Sequence, residues 1–162
     1  MKFIAAFLLV PFTFLLNENK PRLRADELLF AAGHWKGSLT YIDYGTKKPY
    51  TMPANLDISI PAALPGHVII FHEYPDEPKA NSYDTLAITK GGHYFDGARI
   101  LEKKAEGKTL SFLTEYEGTD DDRPATIRHR YTFGQTDLRI REDVRFNKTD
   151  SFMMRNEYRM TR

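Results

Sequence analysis

Apolar and polar residues alternate along most of this chain in runs of roughly eight to twelve residues, and short segments rich in Gly, Pro, Asn and Asp separate the runs. Such alternation is typical of β-strands with one buried face. The pattern therefore predicts a chain built almost entirely of strands. The nine predicted strands are residues 35–44, 50–60, 67–74, 83–90, 94–103, 109–117, 125–133, 138–146 and 152–161.

Consecutive strands joined by short turns form an antiparallel meander, and closing the meander into a barrel removes its exposed edges. Antiparallel closure needs an even number of strands, so a count of nine indicates that Pro53 divides the second strand or that one boundary is misplaced. The predicted fold class is all-β, an antiparallel up-and-down barrel of eight to ten strands. A sandwich of two sheets is the alternative.

One helix is predicted before the strands. In residues 21–33, Leu23, Leu28, Leu29 and Phe30 cluster on one helical side, and Gly33 is suited to end the helix. We expect a short amphipathic N-terminal helix that covers one end of the barrel.

The stretch around the only tryptophan carries a family resemblance. A short helix followed by Gly33 and Trp35 at the start of the first strand resembles the lipocalin-like (calycin superfamily) proteins, in particular bacterial β-barrel domains of uncharacterised function. The resemblance implies that Trp35 plugs the closed end of the barrel and that an arginine near the C-terminus packs over it. On this interpretation Gly33 frees the turn and Gly37 leaves space beside the indole. The candidate arginines are Arg155, Arg159 and Arg162.

The first residues are typical of an export signal. A lysine precedes an apolar run over residues 3–16, which is short for a membrane-spanning helix. We therefore expect residues 1–20 to be a signal peptide or an N-terminal anchor and residues 21–162 to be the barrel domain. The expected location is outside the cytoplasm, in the periplasm or the extracellular medium.

Composition excludes several classes of function. The absence of cysteine rules out disulfides, thiolate metal sites and a cysteine nucleophile. The 23 basic and 22 acidic residues nearly cancel, so the overall charge favours neither nucleic acid nor a membrane surface as a partner. Membrane contact is expected only for the predicted leader. The five histidines lack zinc-site spacing, and we predict neither a metal nor a cofactor.

The best-defined polar pattern lies near the C-terminus. A tight hairpin turn at GQTD places His129 directly opposite Glu142, on the face that also carries the apolar residues. Pairing residue 146 with residue 152 across the next turn places Glu142 opposite Asn156. The three side chains would then form a polar row inside an apolar wall, where a carboxylate needs a partner.

Such a row has three interpretations, namely ligand binding, acid/base chemistry by His129 and Glu142, or a hydrogen-bond network without a ligand. We assign no catalytic residue beyond those two candidates. The same strands carry two inward tyrosines, and a proline-rich loop after the third strand contributes rim candidates. The complete set of predicted ligand-binding residues is His129, Glu142, Asn156, Tyr131, Tyr158, His72 and Tyr83.

These patterns favour an exported binding protein that holds a small, mostly apolar ligand inside the barrel. The expected partner is a small hydrophobic or amphipathic molecule. One alternative is a barrel enzyme of the isomerase, cyclase or hydrolase type that uses His129 and Glu142. The other is a filled barrel that serves as an interaction module.

Overall fold

Ten antiparallel strands close into one barrel in the computed structural model, which describes residues 20–148 and 150–162. Each strand pairs with its neighbours in sequence, and β1 closes the barrel by pairing with both β2 and β10. The predicted all-β antiparallel barrel is therefore confirmed. The strands are β1 (Gly33–Ile42), β2 (Pro49–Ser59), β3 (His67–Glu73), β4 (Ser82–Thr89), β5 (Tyr94–Phe95), β6 (Ala98–Glu106), β7 (Thr109–Asp120), β8 (Arg123–Phe133), β9 (Asp137–Arg145) and β10 (Met153–Thr161).

The tenth strand arises where one strand was predicted over residues 94–103. The chain turns at Asp96 and Gly97, which both have positive φ (50° and 73°), and this turn separates β5 from β6. Pro53, the expected break, lies within β2 and pairs with Ser38 of β1. The Asp-Gly dipeptide is a strong hairpin signal, so the sequence did contain the information needed to place this turn.

The helix before β1 is a 3₁₀ helix, Ala25–Ala31, and it is shorter than predicted. Residues three apart share a face in a 3₁₀ helix, and Leu28 and Ala31 are both buried. Leu29 turns away and is 57 % exposed, so the prediction that it belongs to the apolar side is wrong. Leu23 is buried, but it precedes the helix.

The 3₁₀ helix and Trp35 cover one end of the barrel, which we call the closed end. Trp35 is completely buried, and its indole N–H donates to the carbonyl oxygen of Ala31 at 2.9 Å. The guanidinium of Arg162 lies 4.0 Å from the centre of the indole and donates to the carbonyl oxygen of Ala32. Of the three candidate arginines, Arg162 is therefore the one that packs over Trp35.

Two glycines flank Trp35, and they serve different purposes. Gly33 has a φ of 123°, a conformation that side chains disfavour, which agrees with its predicted role in the turn. At Gly37 an added Cβ would lie 2.0 Å from the carbonyl oxygen of Arg159. Gly37 therefore leaves room for the backbone of β10, and the prediction that it makes space for the indole is wrong.

Apolar side chains fill the interior next to the closed end. Phe95 meets Phe112 edge to face with 5.2 Å between ring centres, and Phe112 stacks on Tyr131 at 4.7 Å. Tight packing of this kind fills the interior around these rings. The most deeply buried side chains here are Trp35, Phe95, Phe112, Leu23, Leu28, Leu56 and Leu138.

The predicted signal peptide or anchor over residues 1–20 falls almost wholly outside the described residues. Within the described part of the chain, no helix is both long enough and apolar enough to cross a membrane.

Candidate functional site

The predicted polar row is present on β8, β9 and β10. His129 lies opposite Glu142, and its Nε2 is 2.8 Å from Oε2 of that carboxylate. Asn156 lies opposite Glu142 from the other side and donates through Nδ2 to Oε1 at 3.3 Å. Both carboxylate oxygens of Glu142 are therefore hydrogen-bonded, which lowers the cost of placing the charge inside the barrel.

The β9–β10 hairpin differs from the prediction close to its turn. The register shifts between Met154 and Asn156, so Arg155 is an extra residue in a β-bulge. The predicted pairing of Phe146 with Phe152 is displaced by one residue near the turn. From Asn156 onward the pairing follows the prediction, because the one-residue displacement at the turn and the extra residue of the bulge cancel.

A second histidine–carboxylate pair lies on β3 and β4. Nε2 of His72 is 3.0 Å from Oδ2 of Asp84. His72 is only 7 % exposed, whereas 56 % of the Asp84 side chain is exposed. The pair thus runs from the interior to the solvent.

Both pairs line one cavity of about 210 Å³, which we call the polar cavity. The strands that carry the two pairs are not neighbours in the sheet, so the curvature of the barrel brings them to one space. The lining is Ile70, His72, Asp84, Leu86, Asp96, His129, Tyr131, Ile140, Glu142, Asn156 and Tyr158. It includes six of the seven residues predicted to bind a ligand.

The environment of His72 determines which of its nitrogens carries the proton. Burial lowers the pKa of His72, and the neighbouring Asp84 only partly offsets this effect. A carboxylate accepts hydrogen bonds, so Nε2 donates to Asp84 and Nδ1 of the neutral ring is an acceptor. Nδ1 is buried and has no hydrogen-bond partner among the described residues. His72 therefore lines the cavity as a neutral ring.

Two tyrosines complete the inner wall. Burial raises the pKa of Tyr131 and of Tyr158 well above the usual value, so both phenols stay neutral. The Tyr158 hydroxyl is 2.6 Å from that of Tyr74, which follows β3. This contact links β10 to the proline-rich loop and fixes the Tyr158 ring beside His72, at 5.4 Å between ring centres.

Tyr83 does not line the polar cavity. It is 71 % exposed, and its ring packs on Phe71 with 4.6 Å between ring centres. Strand periodicity explains the difference: Asp84 and Leu86 share the inner face of β4, so Tyr83 points outward. Tyr83 therefore contributes no surface to the polar cavity, and its predicted place at the rim stays a prediction.

Asp84 and Asp96 are cavity residues that the sequence pattern did not reveal. Asp84 has the same strand parity as Leu86 and Ile88, so the alternation within β4 contained a usable signal. Asp96 occupies the turn between β5 and β6, and it became recognisable only once the Asp-Gly turn was placed. Both carboxylates belong to exposed residues at the edge of the cavity.

The end opposite the closed end, which we call the mouth, carries a partly buried ion pair. Arg155 approaches Asp120 at 3.4 Å, and its guanidinium lies 4.1 Å from the centre of the Tyr44 ring. Burial raises the pKa of the Asp120 carboxyl, and Arg155 opposes that shift. The guanidinium of Arg155 is thus already paired with the Asp120 carboxylate at the mouth.

Another hollow, of about 280 Å³, lies beside the 3₁₀ helix near the β6–β7 turn. Its acidic residue, Glu27, already accepts hydrogen bonds from Lys103 and from the backbone N–H of Arg24. Lys108, Thr109 and Gln135 also line this hollow, and no histidine does among the described residues. Unlike the polar cavity, it carries no histidine–carboxylate pair among those residues.

Among the described residues, no cluster of three or more His, Asp or Glu side chains is arranged to hold a metal ion.

Comparisons with known proteins support the fold. No family model matches the chain, and no curated protein matches its sequence. A search of solved structures does find similar barrels, among them the crystal structure of Rv2717c from M. tuberculosis. That structure aligns with a TM-score of 0.58 at 10 % identity, covering 88 % of this chain and 99 % of the other. At this identity the similarity shows a shared fold: the chain is a closed antiparallel ten-stranded β-barrel that resembles this mycobacterial one.

Proposed function

We propose that the protein binds a small molecule in the polar cavity, with His129, Glu142 and Asn156 orienting the polar part of the ligand. The observation that carries the proposal is the convergence of two histidine–carboxylate pairs from non-adjacent strands on one cavity. Hydrogen-bonding groups that converge in a concave site are typical of ligand sites. The apolar run over residues 3–16 supports export, which would place the barrel in the periplasm or outside the cell.

The size and lining of the cavity indicate an amphipathic ligand. Its volume of about 210 Å³ is below the range of roughly 300–1,000 Å³ that is usual for drug-sized ligands. Ile70, Leu86 and Ile140 offer an apolar surface beside the polar row. The proposed ligand is thus a small metabolite with an apolar body and a hydrogen-bonding end.

The arrangement at the closed end supports placing this barrel among lipocalin-like binding proteins. Trp35 closes the barrel and Arg162 lies over its indole, as the family resemblance implies. The closed end is filled, which directs a ligand toward the polar cavity.

Native mass spectrometry of the full chain, purified from the cells that naturally produce it, tests the proposal directly. We expect an added small-molecule mass on the wild-type protein. Leu86→Trp fills the cavity and should lose that mass, whereas Leu64→Trp, the same change at an exposed loop position, should retain it. If the wild type binds nothing from an extract of small metabolites, or if Leu86→Trp keeps the added mass, the proposal is wrong.

Acid/base catalysis is the second candidate function, because a carboxylate-held imidazole is the usual arrangement of a general base. His129 and Glu142 meet this requirement at 2.8 Å. If the co-purified molecule is converted by the wild type and not by His129→Gln, the protein is an enzyme. If both proteins bind it unchanged, the protein is a binding protein.

A further inference from the structure

We infer that the polar cavity selects a small organic cation, an ammonium group carried on a short apolar or aromatic body. This inference rests on the proposed function and specifies the chemical class of its ligand. It follows from a count of hydrogen-bond donors and acceptors around the cavity.

The charged groups of the lining are all acidic. Asp84, Asp96 and Glu142 contribute carboxylates, and no lysine or arginine is found among the described residues that line the cavity. The nearest arginine on β10, Arg155, is held at the mouth by Asp120 and by the carbonyl oxygen of Ile42. The cavity therefore attracts a positive charge and repels a carboxylate or phosphate.

The neutral polar groups add acceptors. His72 donates through Nε2 to Asp84, which leaves its buried Nδ1 as an acceptor without a partner. Asn156 donates one of its two amide N–H groups to Glu142, and its carbonyl oxygen is another acceptor. A ligand with several N–H donors would satisfy the acceptors that it reaches, and the phenol hydroxyls of Tyr131 and Tyr158 are the other neutral polar groups of the lining.

An ammonium group supplies both the charge and the donors. It carries three N–H donors, which form directional hydrogen bonds to acceptors on different strands. The Tyr131 and Tyr158 rings and Ile140 line the same space, and they would contact an apolar or aromatic body. The cation is therefore organic.

Three probes of similar size separate charge from shape: 2-phenylethylammonium, 2-phenylethanol and phenylacetate, each titrated into the full chain by calorimetry at neutral pH. We expect the ammonium probe to bind at least about tenfold more tightly than the alcohol, and phenylacetate to bind most weakly. Asp84→Asn and Glu142→Gln should each weaken binding of the ammonium probe about tenfold and leave the alcohol nearly unchanged.

Asp57→Asn is the matched control. Asp57 forms a histidine–aspartate pair with His34 at 2.9 Å on the exposed surface, away from the cavity. This variant should bind the ammonium probe as the wild type does. Circular dichroism checks folding, and Asp96→Asn, in an exposed turn, replaces either cavity variant that fails to fold.

The outcomes distinguish this inference from the proposed function. If the alcohol or phenylacetate binds as tightly as the ammonium probe, the cavity binds ligands and the inference about charge is overturned. If none of the three probes binds at millimolar concentration, the inference is also overturned, and native mass spectrometry judges the proposed function separately.

Discussion

The two halves of the barrel are built from different kinds of residue. Toward the closed end the interior is aromatic and aliphatic, Trp35 and Leu56 have no exposed surface, and a helix and Arg162 cover the end. Toward the mouth the interior carries two histidine–carboxylate pairs and a cavity. Buried apolar surface stabilises a fold, whereas buried polar groups are costly unless they are satisfied. We infer that the closed half supplies stability and that the polar half is available for binding.

Trp35→Ala should produce the largest loss of stability. Removing a fully buried indole leaves a large void, and such substitutions cost about 3–5 kcal/mol. Urea unfolding monitored by far-UV circular dichroism measures the change in the free energy of unfolding. A loss below about 1 kcal/mol would contradict the view that the closed end carries the stability of the barrel.

The same substitution at two leucines compares the two halves directly. Leu56→Ala removes a completely buried side chain and should cost about 2–5 kcal/mol. Leu86→Ala acts on a half-buried side chain that already borders the cavity, so it should cost about half as much or less. Equal costs in urea unfolding would show that the halves do not differ in packing.

Two glycines allow a similar comparison between the ends. Gly37→Ala puts a methyl group against the backbone of β10 and should cost about 1–3 kcal/mol. Gly45→Ala, in the turn between β1 and β2 at the mouth, meets only an ordinary contact of 3.4 Å with Asp43 and serves as the control. Thermal unfolding of both variants measures the difference, and a Gly37→Ala protein as stable as the wild type would refute the close approach of β1 and β10.

The smallest expected effect concerns pH and the polar half. The pKa of His72 is lowered in the folded state, so below the ordinary imidazole pKa of about 6.5 the unfolded chain binds a proton that the folded chain does not. The free energy of unfolding should therefore be highest above about pH 6.5 and fall as the pH drops below it.

Urea unfolding at several pH values between about 5 and 7.5 measures this dependence. His72→Gln should flatten the profile, and His34→Gln, which removes an exposed imidazole, is the matched control. If the profiles of wild type and His72→Gln run parallel, burial of His72 does not contribute to acid sensitivity.

Much of the barrel was predictable because strand alternation and turn chemistry are local. The pairing of His129 with Glu142 depends on one tight turn, so counting along the chain was enough to place the two side chains together. The pairing of Asn156 with Glu142 was predicted correctly only because the extra residue in the bulge at Arg155 cancels a one-residue error in the predicted turn. The division of residues 94–103 into β5 and β6 was not predicted, although the Asp96–Gly97 turn that divides them is a local signal.

Other parts of the site depend on contacts between distant segments. Residues of β3 and β4 meet residues of β8, β9 and β10 around one cavity only because the sheet closes on itself. That Arg162, and not Arg155 or Arg159, packs over Trp35 depends likewise on where β10 ends beside the helix.

The sequence by itself determined the all-β class, most strand positions and the pairing of His129 with Glu142, since each follows from the period of two along a strand and the geometry of one hairpin. Only the tertiary structure decided that His72 and Asp84 share a cavity with that row, that Tyr83 lies outside, and which half of the interior is filled. These features depend on the curvature and closure of the sheet, which are set by packing among all ten strands and not by any single segment.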